Sequence, residues 1–106
     1  MKIRPIFDQS CAGGSATTTG STFRMDASGN DDSVIVVQFY TGAGALNDIA
    51  LQGRLSAHSS GASTNWATLT TGGGGAIQIV PRCLEYRAQV VNTNASAQTF
   101  ACYLGL

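Results

Sequence analysis

Two segments constrain the fold most: NDIALQGRLSA at 47–57 and LEYRAQVVN at 84–92. In the first, Ile49, Leu51, Gly53 and Leu55 alternate with Ala50, Gln52, Arg54 and Ser56. In the second, Leu84, Tyr86, Ala88 and Val90 alternate with Glu85, Arg87 and Gln89. An extended backbone puts successive side chains on opposite sides, so each segment reads as a strand with one face inward. Helical periodicity is absent from the chain.

The remaining segments follow suit. SVIVVQFYT at 33–41 is the strongest strand, and its continuous apolar start implies burial on both faces or a central position in a sheet. Lys2–Asp8, Ser21–Asp26, TNWATLTT, AIQIVP and QTFACYLGL supply further short runs. CAGGSATTTG at 11–20 reads as a loop, while SGNDDS, GAGAL, GGGG at 72–75 and NTNASA read as turns or connections. Gly53 within a strand implies a bulge or a close-packed neighbour. Roughly eight short, mainly antiparallel strands with turns at this spacing predict an all-β fold. The expectation is a single small β-sandwich domain over residues 1–106, jelly-roll or immunoglobulin-like; the pattern alone does not separate the two.

Composition narrows the function classes. Charged residues make up 11% of the chain, and six basic and six acidic side chains cancel. Without a basic stripe, nucleic-acid binding lacks its usual electrostatic source. A near-neutral, charge-poor surface suits a protein packed against others. The apolar runs, Val34–Val37 among them, are too short to cross a membrane. The opening MKIRPIFDQS has no apolar run or small-residue cleavage site of the signal-peptide kind, so synthesis in a cytoplasm is expected. Cys11, Cys83 and Cys102 form no CxxC pair and read as small buried hydrophobes.

No assembled catalytic set is evident. His58 is the only histidine, sits among small polar residues and reads as solvated; no GxSxG motif accompanies it. Asp26, Ser28, Asn30 and Asp32 have the early spacing of a calcium loop, but Asp31 stands where the glycine is required and Val37 where the bidentate Glu belongs. The glycines at 72–75 precede a strand, whereas a phosphate loop needs a helix. The expectations are therefore no catalytic, cofactor or metal residues. Trp66, Tyr40, Tyr86 and Tyr103 could form a sugar-stacking platform, although Trp66 reads more readily as a core anchor between the sheets.

Leu51-Gln52-Gly53, Asn65-Trp66 and Tyr86-Arg87, set in strands separated by a glycine turn, carry a resemblance over residues 33–106. The arrangement resembles small β-sandwich virion structural proteins of tailed bacteriophages. The connection AHSSGASTN is longer than the tight turn that pattern carries. The resemblance implies a non-enzymatic role as a capsid decoration (cement) protein or a minor head or tail component. Its partners would be the major capsid protein or other virion proteins, and its location the virion after synthesis in the host cytoplasm. A homo-oligomer is expected, a trimer matching the three-fold points of an icosahedral lattice. The alternative is a carbohydrate-binding β-sandwich module.

Residues 1–8 allow two readings. Ile3, Arg4, Ile6 and Phe7 could form an extended arm that adds a strand to a partner's sheet. Alternatively the segment is the first strand of the sandwich, and Pro5 then places it at an edge.

Overall fold

The computed structural model describes residues 2–25, 35–42, 45–55 and 65–106. Among these, nine strands form two antiparallel sheets packed face to face: β1 Ile3–Cys11, β2 Ala16–Thr19, β3 Phe23–Arg24, β4 Ile35–Thr41, β5 Ile49–Arg54, β6 Ala67–Thr71, β7 Gln78–Val80, β8 Glu85–Asn92 and β9 Gln98–Gly105. The first sheet has the order β1-β9-β4-β7, the second β2-β8-β5-β6, with β3 also paired to β8. β2 and β3 follow one another along β8, Thr19 opposite Gln89 and Phe23 opposite Tyr86, so together they act as one interrupted edge strand. Counted that way, the chain changes sheet at every step except β5 to β6. This is the jelly-roll connectivity of two interlocked Greek keys. The all-β sandwich expected from the sequence is therefore present, with jelly-roll and not immunoglobulin-like topology.

The alternating segments behave as their pattern dictates. Ile49, Leu51, Tyr86, Ala88 and Val90 are fully buried and meet Phe39, Phe100, Cys102 and Leu104 of the first sheet in one core. Each buried aliphatic or aromatic side chain there contributes roughly 1.5–3 kcal/mol relative to exposure. Buried polar groups are paired. Tyr86 donates its hydroxyl proton to Pro81 O at 2.8 Å and accepts from Cys83 N at 2.8 Å. Asn92 donates to Cys11 O and Ser96 O while its carbonyl accepts from both nitrogens of Asn94, tying β1 to the β8–β9 turn.

Gly53 meets both expectations placed on it. Pairing with β6 shifts register next to it, between Leu51 and Gln52, and a Cβ at Gly53 would lie 2.7 Å from Cys83 Sγ. In the glycine turn, Gly73, Gly74 and Gly75 all take positive φ, which explains a run of that residue.

Three local expectations differ. Part of the loop read at 11–20 is strand β2, because a run of threonines hydrogen-bonds to β8 without any apolar residue to signal it. Leu55, expected inward, is exposed, since β5 ends at Arg54. Trp66 is not a core anchor; it is half-buried just before β6 and lies against two arginines of the second sheet.

Candidate assembly surface

Each sheet has an inner face in the core and an outer face, and the two outer faces differ in chemistry. On the first sheet, strand register aligns the outward side chains in rows. Ile3, Gly105, Val36 and Ile79 form one row across β1, β9, β4 and β7. Pro5, Tyr103 and Gln38 form the next, and Ile77, the residue before β7, lines the same groove as Gln38 and Tyr103. Asp8, Ala101 and Tyr40 form the third. Ile3, Tyr40, Ile77 and Ile79 are 59%, 56%, 67% and 77% exposed. Gln38 is the polar residue at the centre, and its amide donates to Gly75 O at 2.9 Å. Between the taller side chains, Gly105 and Leu104 floor a groove of about 280 Å³ walled by Ile3, Val36, Ile77 and Tyr103.

This arrangement explains the apolar run in β4. Ile35, Val37 and Phe39 enter the core, and β4 lies between β9 and β7, as a central strand should. Yet Val36 is only partly covered and Tyr40 is exposed, so the run has apolar residues for two faces and a cover for one.

The outer face of the second sheet is mainly polar, Val91 being its exposed apolar residue on β8, and its polar groups are paired. Glu85 is 6% exposed and accepts from Arg54 Nε at 2.7 Å, with Arg24 at 3.9 Å. Arg87 donates to Gln52 at 2.6 Å, Gln52 reaches Gln89 at 3.4 Å, and Gln89 donates to Thr19 at 3.1 Å. The guanidinium carbons of Arg54 and Arg87 each lie 4.4 Å from the Trp66 ring centroid, within cation–π range. Burial, and then the neighbouring Arg54 charge, lower the proton affinity of Arg87 below the arginine norm.

The N-terminal residues singled out from sequence separate. β1 pairs with β9 along its length, and Phe7 sits in the core. Ile6 packs against that core from the Pro5–Phe7 bulge. Arg4 lies 5.2 Å from the Phe23 ring centroid, closing the gap between sheets. Ile3 alone of the four presents an exposed apolar side chain to the outer face. As an edge, β1 carries a proline, a bulge and charged residues, all devices that discourage strand addition.

Among the described residues, the other candidate groups do not form a site. His58 and the Asp26–Asp32 stretch lie outside the described residues. Among the described residues, no three His, Cys, Asp or Glu side chains come together as metal ligands. Cys11, Cys83 and Cys102 are buried free thiols; burial raises all three pKa values, that of Cys102 to about 12. Such thiols are poor nucleophiles. Comparisons of the chain with protein-family models, curated proteins and solved structures found no match.

The sequence reading missed Ile77 and Ile79. AIQIVP was legible as a strand, but nothing in six residues told which side would face the core. The one signal in the sequence that bears on this surface is the apolar run of β4, read above as burial or a central position.

Proposed function

We propose that the chain is a non-enzymatic virion structural protein, a capsid decoration (cement) protein that stabilises capsomer junctions of a tailed phage. The observation that carries this reading is the uncovered apolar outer face of β1-β9-β4-β7 on an otherwise well-satisfied sandwich. An exposed, contiguous patch of isoleucine and tyrosine on a charge-poor chain marks an interaction surface. Cement proteins act by burying surface between subunits, and many copies on one lattice add avidity to weak individual contacts. The partners are then the major capsid protein, neighbouring virion proteins and further copies of this chain. The resemblance of residues 33–106 to small phage virion proteins points the same way.

A second reading has a specific observation behind it. Trp66 lies near the surface beside Arg54, Arg87 and Asn65, and Tyr40 and Tyr103 are diagonal neighbours on the opposite outer face. Aromatic rings flanked by polar side chains suit sugar recognition, and jelly rolls build lectin as well as capsid domains. Fold alone does not choose between them.

Immunogold labelling of tailed-phage particles from the source of the chain tests the first reading. Regular labelling of the capsid lattice is expected; particles without label would overturn it. Glycan-array binding abolished by Trp66→Ala would favour the second.

A further inference from the structure

We infer that the outer face of β1-β9-β4-β7 is self-complementary and pairs with the same face of a second copy of this chain about a two-fold axis. The inference rests on the reading of that face as an assembly surface and names its occupant. Its basis is the order of side chains within the rows. The first row reads Ile3, Gly105, Val36, Ile79 and the third Asp8, Ala101, Tyr40. Consider an axis in the interface plane, parallel to the strands and midway between β9 and β4. It turns each row over onto its own reverse in the partner. Val36 then stands over the partner's Gly105 groove, and Tyr40 stands over the row position of the partner's Ala101, a small residue that is itself buried at 1% exposure. In the middle row Gln38 meets Tyr103, an amide opposite a phenol, and Ile77 meets Pro5. At the margins Ile79 meets Ile3. Tall residues of one central strand thus fall on the small residues of the other, the interlocking that face-to-face sheets require.

Electrostatics permit the pairing. The chain carries no net charge, so two copies approach without long-range repulsion. Asp8, on the third row, is the only acidic residue among the outward positions named, and it lies at the β1 margin, where it can keep its water. Strand edges offer less: β1 is bulged and contains Pro5, and β7 is three residues long and is followed by Pro81. The same contact is isologous and closes after two copies.

Size sets the strength. Four strands about 4.8 Å apart, of nine, eight, seven and three residues, give a footprint of roughly 430 Å² per face. Two such faces bury on the order of 900 Å² by footprint and somewhat more by accessible surface, near the lower limit for a specific interface. The pairing is therefore reversible in solution, and a lattice that concentrates the chain would consolidate it.

Sedimentation equilibrium of the full chain across a concentration series tests this. The wild type is expected to pass from one to two chains in mass as concentration rises. At a concentration where it is half dimeric, Ile79→Asp or Ile3→Lys should each reduce dimer about tenfold or more, because a charge is set against an isoleucine. The double variant I3K/I79D should recover dimer, since the axis places each new lysine beside the partner's new aspartate. Unchanged circular dichroism and melting temperature of each single variant confirm that the monomer fold is intact. A wild type that stays monomeric or forms trimers overturns the two-fold pairing. So does a dimer that neither variant weakens, or a double variant with no recovery. The capsid-labelling experiment is independent of all these outcomes, so either reading can fail alone.

Discussion

The two outer faces of this sandwich are built from the same kind of strand and come to opposite ends. On the second sheet each charged or amide side chain has a cross-strand partner, from Arg54 and Glu85 through Gln52 and Arg87 to Gln89 and Thr19. On the first, the corresponding positions hold Ile3, Val36, Tyr40, Ile77 and Ile79 around Gln38, with Asp8 at the β1 margin. Hydrogen bonds complete the first kind of surface within the monomer. Apolar groups can complete the second only by meeting another apolar surface, since water gives them no partner. The polar face therefore serves stability, and the apolar face is the one we propose for association.

That contrast makes the effects of substitution separable. Glu85→Ala is the largest expected disruption. It leaves the Arg54 guanidinium, largely buried, without its carboxylate, and should cost about 3 kcal/mol. Thermal unfolding should shift down by roughly 15 °C for a domain of this size, with no effect on association.

The core between the faces has its own signature at high pH. Burial raises the Tyr86 hydroxyl to about 12 from 10.0, and the Cys102 thiol to about 12 from 9.0. In the unfolded chain both groups release protons at their ordinary values. Above those values the unfolded state binds fewer protons than the folded one, so stability falls as pH rises. The decline should begin near pH 9, steepen near 10 and level off near 12. Tyr86→Phe should reduce its slope between 10 and 12 in pH-dependent urea melts, beside a constant loss from the two missing hydrogen bonds.

Trp66→Ala sharpens the comparison at smaller amplitude. Losing two guanidinium–ring contacts should cost about 1–2 kcal/mol in denaturant unfolding. Association through the other sheet should be unaffected. Smallest of all is Ile79→Thr, where a 77% exposed side chain leaves monomer stability within about 0.5 kcal/mol. Its effect belongs in the association constant, measured by sedimentation.

How far the sequence could reach follows from where each signal resides. Strict alternation in 49–54 and 85–92 carries the strand assignment in the side chains themselves, and those strands form as read. Topology does not reside there; it depends on which strand each turn delivers to which sheet. β2 was hidden because Ala16–Thr19 has strand propensity but no apolar face to display it. Trp66 misled because a lone tryptophan is most often an anchor in a small core. Its real partners, Arg54 and Arg87, meet it only through the β5–β8 register. The N-terminal segment was ambiguous for a related reason. An arm and an edge strand share one pattern, and pairing with β9 is a long-range fact.

Hydroxyl-radical footprinting tests the central claim most directly, because the two faces carry natural reporters. Tyr40 and Tyr103 mark the apolar face, and Trp66 marks the polar one. Moving from dilute to concentrated protein, oxidation of Tyr40 and Tyr103 should fall severalfold while that of Trp66 stays constant. Protection of Trp66 with Tyr40 and Tyr103 still fully reactive would contradict the account, because the polar face would then be the one that a partner covers.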